Sequence, residues 1–226
     1  MGLGANCLLS RWHALALNQT LCFGGSTIKY LWVSIFISVL IWSGVHPKDP
    51  LTWGLEVFPA VLGAIILAAT YRCFKLTSIL YVLILAHCII LMVGGHYTYA
   101  EVPFFDDLLG AQRNNYDKLG HFFQGFVPAL IAREILLRKN VVNGQWWLRL
   151  FVVCIALSFS AFYELIEWWV AVLSGEGAEA FLGTQGYAWD TQSDMAMALV
   201  GAITALLLLT KLHDRQLVER SQTASK

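Results

Sequence analysis

Apolar residues dominate six stretches of the chain, and short polar stretches separate them. A transmembrane helix needs about 20 mostly apolar residues to cross a hydrocarbon layer about 30 Å thick. The six stretches approach or exceed this length, and the shorter ones extend into their flanks. They cover about residues 30–45, 53–70, 78–95, 119–137, 148–173 and 195–209. The pattern therefore predicts an all-α fold, a polytopic transmembrane bundle of about six helices.

Composition supports this class of protein. Hydrophobic residues make up 58% of the 226 residues and charged residues 13%, whereas soluble domains carry about 25% charged residues. So few charges could not cover a water-exposed surface, and the same numbers exclude a disordered chain, a coiled coil and a collagen-like fibre. The net charge is zero, so nucleic-acid binding, which requires a basic patch, is not expected. The expected partner is the lipid bilayer.

The basic residues predict an orientation. Twelve of the 15 Lys and Arg residues lie in or beside the N-terminus, the 71–77 and 138–147 loops and the C-terminus. They are Arg11, Lys29, Arg72, Lys75, Arg133, Arg138, Lys139, Arg149, Lys211, Arg215, Arg220 and Lys226. Only Lys48, Arg113 and Lys118 lie on the other side. Because cytoplasmic loops are enriched in Lys and Arg, both termini are predicted to be cytoplasmic.

Three regions follow from this topology. Residues 1–28 form a cytoplasmic leader or an interfacial helix, with several Leu residues and a Trp around Arg11 and His13. Residues 29–210 form the six-helix transmembrane domain. Residues 211–226 form a cytoplasmic C-terminal tail.

The acidic residues concentrate on the predicted external side, where 12 of the 15 lie. They are Asp49, Glu56, Glu101, Asp106, Asp107, Asp117, Glu164, Glu167, Glu176, Glu179, Asp190 and Asp194. Glu164 lies 15 residues after Arg149, about 22 Å along a helix and in the outer third of the membrane. Ionisable groups at such depth are costly and usually face the interior of a bundle or a water-filled cavity.

Three residue pairs in these segments have helical spacing, which places each pair on one helical face. They are Asp117 with His121, Glu164 with Glu167, and Asp190 with Asp194. Carboxylates with a His suit Mg²⁺, Mn²⁺, Fe²⁺ or Zn²⁺, and a cation would let neighbouring carboxylates stay ionised. We therefore predict a divalent metal site formed by all six residues, with Glu164, Glu167 and His121 as catalytic residues.

Two other interpretations remain open for the same residues. Asp117 fits an acid in the first turn of a helix, where the helix dipole favours it, and Asp190 or Asp194 fits a helix cap. Capping does not explain Glu164 and Glu167, which lie deeper, but a structural polar network between helices would.

Four runs carry a resemblance to a known family. They are VGGHYTYAEVPFFDDL, RNNYDKLGHFFQGFVPALIAREIL, FYELIEWW and GTQGYAWDTQSDM. These runs resemble the YjdF-like family of bacterial inner-membrane proteins, over about residues 30–210. The resemblance implies a six-helix protein of the inner membrane with no established activity. The Asp-Lys-x-x-His run at 117–121, followed by later acids, is also similar to VanZ-like membrane proteins.

Three classes of function follow. The first is a metal-dependent enzyme acting on a lipid or lipid-linked group at the outer leaflet, through metal-activated water or a Glu general base. The second is a non-catalytic structural or sensory membrane protein. The third is a small proton-coupled transporter, although carriers usually bind near the midplane between inverted repeats and no such repeat is visible here.

Overall fold

A computed structural model describes residues 28–99, 101–103, 105, 114–174 and 189–224. Six helices and no strand occupy these ranges. They are α1 (Ile28–Gly44), α2 (Pro50–Thr70), α3 (Ser78–Tyr97), α4 (Tyr116–Arg138), α5 (Gln145–Ser174) and α6 (Asp190–Ala224). The predicted all-α, six-helix fold is confirmed. The predicted leader up to residue 27 and the acids Asp106, Asp107, Glu176 and Glu179 lie outside the described residues.

Four of the helices are long and apolar enough to cross a membrane: α2, α3, α5 and α6. α1 is apolar but shorter. α4 carries charged residues at both ends, and about half of its residues, Arg133 and Glu134 among them, are buried. It packs against α3, α5 and α6, so its polar residues face protein. The N-in, C-in orientation stays a prediction.

The chain divides into two compact units, 1–42 and 43–226. Within the first unit, Trp32 and Phe36 stack one turn apart in α1, with ring centroids 5.4 Å from each other. The second unit contains α2 to α6 and every residue of the site described below.

The start of α2 shows how local sequence sets a helix end. Asp49 accepts hydrogen bonds at Oδ1 from the backbone N–H groups of Leu51 (2.8 Å) and Thr52 (3.2 Å). These N–H groups have no partner within the helix, so a capping carboxylate satisfies them. Pro50 follows as the first helical residue, where its missing N–H costs nothing.

Glycines bring α4 and α6 into backbone contact. A β-carbon at Gly125 would overlap the carbonyl oxygen of Ala198, and one at Gly201 would overlap the carbonyl oxygen of Phe122. Small residues at such a crossing let two membrane helices approach closely. The contact fixes the position of α4 against α6, and with it the side chains at both ends of the pair.

α6 is a single helix of 35 residues, about 52 Å long at the α-helical rise. It therefore extends well beyond the apolar stretch predicted at residues 195–209. It includes the polar residues from Asp190 onward, and it continues to Ala224 through most of the segment predicted as a tail.

Candidate functional site

His121 lies at the centre of three acids, two buried and one partly buried, where α4, α5 and α6 meet. Its Nε2 atom lies 3.4 Å from Asp117 Oδ1, 3.7 Å from Glu164 Oε1 and 3.9 Å from Asp194 Oδ1. Asp117 and His121 come from the first turns of α4, and Asp194 comes from the second turn of α6. We refer to Asp117, His121, Glu164 and Asp194 as the His121 cluster.

The other ring nitrogen of His121 has a partner of its own. Nδ1 lies 2.9 Å from Oε1 of Gln124, one turn further along α4. An amide oxygen can only accept a hydrogen bond, so Nδ1 carries the hydrogen. In the neutral imidazole, Nε2 then presents a lone pair to three carboxylates, which requires a proton or a cation between them.

Glu164 supplies the second unusual feature of the cluster. The side chain is more than nine-tenths buried, and its Oε1 atom has no hydrogen-bond partner among the described residues. A buried acceptor without a partner is costly and uncommon in native proteins. The same atom faces His121 Nε2 at a distance too long for a hydrogen bond.

Lys118 holds the neighbouring acids of α6. Its Nζ atom lies 2.6 Å from Asp190 Oδ1, 2.6 Å from Asp194 Oδ1 and 2.7 Å from Ser193 Oγ. Asp190 therefore pairs with Lys118 rather than with His121. Asp194 belongs to both groups, because its Oδ1 atom faces Lys118 and His121.

A small cavity adjoins the His121 cluster. It offers about 20 Å³ of space for the centres of water molecules, enough for one water. Its polar wall includes Asp117, His121, Gln124, Glu56 and Glu167.

Two tyrosines, Tyr99 and Tyr163, also line the cavity. The hydroxyl of Tyr163 donates a hydrogen bond to Glu56 Oε2 at 2.9 Å. Tyr99 follows α3 in a left-handed backbone conformation, at φ 58°, directly after Thr98 at φ 59°. Such conformations are strained for residues other than glycine and recur at functional sites. Burial raises the pKa of the Tyr99 phenol well above its ordinary value, so the phenol is neutral at physiological pH.

The structure brings four of the six predicted metal ligands together, namely the members of the His121 cluster. Glu167 lines the adjoining cavity, and Asp190 pairs with Lys118. The prediction of a metal ion itself, and of catalytic roles for Glu164, Glu167 and His121, stays a prediction. No sequence pattern predicted Glu56, Tyr99 or Tyr163 as site residues. Glu56 carried a signal, as the lone acid of the apolar segment 53–70.

The helices and the site together define an integral membrane protein with several apolar helices and buried carboxylates near one end. Residues 28–215 match the family described as "Predicted membrane protein (DUF2238)", and the chain belongs to that family. It is 55% identical over 182 residues to "Inner membrane protein YjdF" of Escherichia coli (strain K12), across 79% of this chain and 87% of that protein. No solved structure matches. The resemblance to YjdF-like proteins and the inner-membrane location are confirmed.

Proposed function

We propose that the His121 cluster binds one divalent cation, and that this cation activates a water molecule to hydrolyse a lipid or a lipid-linked group. The observation that carries the proposal is the unpartnered Oε1 atom of Glu164, which faces His121 Nε2 beside two further carboxylates.

The distances in the cluster suit a shared ion. Two ligands about 2.1 Å from a tetrahedral ion lie about 3.4 Å from each other. The separations of 3.4, 3.7 and 3.9 Å between His121 Nε2 and the three carboxylates are close to that value. One ligand atom each from Asp117, His121 and Asp194 already lies within 4.8 Å of the others, and Glu164 falls outside this group of three. A movement of the Glu164 carboxylate towards the other ligands would therefore complete the site.

The ligand set narrows the choice of metal. One imidazole nitrogen with three carboxylate oxygens suits Zn²⁺, Mn²⁺ or Fe²⁺, whereas Mg²⁺ prefers oxygen ligands and retains several waters. The hydrogen bond from His121 Nδ1 to Gln124 matches the outer contact that usually orients a metal-binding His.

The surroundings suit hydrolysis of a lipid. A metal ion lowers the pKa of a bound water to near neutrality, the adjoining cavity has room for one water, and Glu167 on its wall can accept the proton. Leu165, Trp168 and Trp169 of α5 are exposed near Glu164 and Glu167. Trp is typical of the membrane interface, so a lipid could reach the site from the side.

A non-catalytic polar network is the second candidate function. Its support is Lys118, which bridges Asp190 and Asp194 and supplies a positive charge without a metal. In that case a protonated His121 would supply the second positive charge, and the cluster would serve to hold α4, α5 and α6 together.

Elemental analysis of the full-length protein, purified in detergent without chelator, tests the cation. We expect about one metal ion per chain, or uptake of Mn²⁺ or Zn²⁺ by calorimetry. The Glu164→Gln variant should lose metal binding. The Glu101→Gln variant should retain metal binding, because Glu101 lies outside the cluster and pairs with Lys48. A wild-type protein that neither contains nor takes up metal would favour the polar network.

A separate assay tests hydrolysis. The metal-loaded protein is incubated with an extract of inner-membrane lipids, and released phosphate, glycerol and fatty acid are measured. We expect release that Glu167→Gln lowers at least tenfold while metal content stays the same. Bound metal without any release would contradict the enzymatic role and leave the cation site in place.

A further inference from the structure

A groove of about 450 Å³ lies at the opposite end of α4 and α6 from the His121 cluster. We call it the α4–α6 groove. Leu137 and Arg138 of α4 and Leu217, Val218 and Arg220 of α6 form most of its lining. Its chemistry is mixed, with two guanidinium groups beside three aliphatic side chains.

The two arginines of the groove lie side by side. Arg138 Nη1 donates to the carbonyl oxygen of Lys75 at 2.9 Å, and Arg220 Nη1 donates to the carbonyl oxygen of Leu76 at 2.8 Å. Lys75 and Leu76 are consecutive residues, so these bonds bring the guanidinium groups together. The guanidinium carbon of Arg138 also lies 3.8 Å from the centroid of the Phe74 ring, in a cation–π contact.

The positive charge of the groove comes mainly from Arg220, because Arg138 Nη1 lies 2.7 Å from the buried carboxylate oxygen Oε1 of Glu134. Asp214 also lines the groove, but its Oδ1 atom lies 2.6 Å from Arg133 Nη2, which neutralises it. Among the described residues, each groove arginine makes its hydrogen bonds through one nitrogen, Nη1. The remaining N–H groups of both guanidiniums suit the oxygens of a phosphate, which arginine binds in a forked geometry.

The position of the groove relative to the membrane indicates that this phosphate belongs to a lipid. The apolar stretch of α6 ends near residue 209, and the groove residues of α6 lie at 214–221. This is about 8–18 Å further along the helix, so the groove lies outside the hydrocarbon core and begins at the headgroup layer, which is about 5–7 Å deep on each side. Val218 is 55% exposed and, with Leu137 and Leu217, provides an apolar surface for an acyl chain.

We infer that the α4–α6 groove binds an anionic phospholipid, with the phosphate at Arg138 and Arg220 and an acyl chain along the aliphatic residues. Basic pockets between membrane helices on the cytoplasmic side are suited to such headgroups, and the basic residues of the chain predict that this end is cytoplasmic. The site is independent of the proposed cation site, because it shares no residue with it.

The test measures thermal unfolding of the full-length protein in detergent, with added phosphatidylglycerol or phosphatidylcholine. Phosphatidylglycerol should raise the unfolding temperature in a saturable manner, whereas phosphatidylcholine should not. Arg220→Gln should weaken the apparent affinity roughly tenfold. Arg215→Gln is the matched control, because it removes the same charge from the same helix at a residue that is outside the groove lining and pairs with Glu219.

Val218→Glu is a second test variant, which separates a loss of lipid binding from poor folding of the Arg220→Gln variant. It adds a negative charge to the groove without removing an internal hydrogen bond, and it should also weaken phosphatidylglycerol binding. Equal responses of all three variants would mean general charge attraction and would overturn the inference. An equal effect of inorganic phosphate alone would do so as well, because the site would then recognise a soluble anion.

Discussion

Two buried glutamates, at opposite ends of the helical packing around α4, differ in how their oxygens are used. Glu134 accepts hydrogen bonds from the backbone N–H of Thr77 (3.2 Å), the Thr77 hydroxyl (2.7 Å) and Arg138 (2.7 Å), and its Oε2 lies 3.1 Å from His213 Nε2. Glu164 is nearly as buried, yet its Oε1 atom has no partner among the described residues.

The difference separates a structural acid from a candidate ligand. A fully hydrogen-bonded buried network stabilises one arrangement of the helices, whereas a partly satisfied one carries a cost. Burial of a carboxylate in a membrane protein is therefore a weaker indicator of a binding site than an unused oxygen beside other polar groups.

Glu134→Gln should disrupt the fully hydrogen-bonded network around Glu134, and we expect it to lower the stability of the protein more than any other variant considered. The new amide nitrogen replaces one of the two accepting oxygens, so either Arg138, which donates to Oε1, or the Thr77 hydroxyl and His213, which face Oε2, lose their acceptor. We expect the free energy of unfolding to fall by about 3–5 kcal/mol, measured by denaturant titration in micelles. Glu219→Gln, at an exposed pair with Arg215, should change it by less than about 0.5 kcal/mol. Similar values for both variants would contradict the assignment.

Gly125→Ala tests the contact that connects the two ends. The added methyl group would meet the Ala198 carbonyl oxygen, which cannot move without displacing α6. We expect a loss of about 2–3 kcal/mol in unfolding free energy. Gly63→Ala is the matched control, because no atom lies within 4 Å of its added β-carbon, and alanine favours a helix. That control should be neutral or slightly stabilising.

Lys118→Gln should have an intermediate effect at the His121 end. It leaves Asp190 and Asp194 buried without their cation, at a cost of about 2 kcal/mol. Added Mn²⁺ should recover part of this loss, since Asp194 would no longer be shared between Lys118 and the metal. Lys48→Gln, at the exposed pair with Glu101, should cost less than about 1 kcal/mol. No recovery with any divalent cation would favour the polar network.

Glu164→Gln should have the smallest effect on the metal-free protein. The replaced Oε1 atom has no partner, so we expect a change within about 0.5 kcal/mol in either direction. The same variant should lose the stabilisation that Mn²⁺ or Zn²⁺ gives to the wild type in thermal melts. A large loss of stability without metal would mean that Glu164 is structural, as Glu134 is.

The number and approximate positions of the helices follow from apolar runs, because the length of a run reports the span directly. The pairing of Asp117 with His121 also follows from local spacing. Contacts between helices do not, since they depend on how each helix is rotated against its neighbours. Tyr163 and Glu56 are 107 residues apart in the chain, and no local pattern indicates that they meet. Likewise, nothing in the sequence distinguishes Asp190, which Lys118 holds, from Asp194, which also faces His121.

The ring of Tyr99 has a consequence for the size of any bound molecule. It fills the space left by Gly94 and Gly120, where a β-carbon would overlap the ring or approach it to 3.1 Å, and it forms one wall of the cavity. The polar side chains determine which kind of atom can bind, whereas the Tyr99 ring limits the size of the molecule that can enter the cavity. Relatives with identical acids but different residues at positions 94, 99 and 120 would therefore admit molecules of a different maximum size.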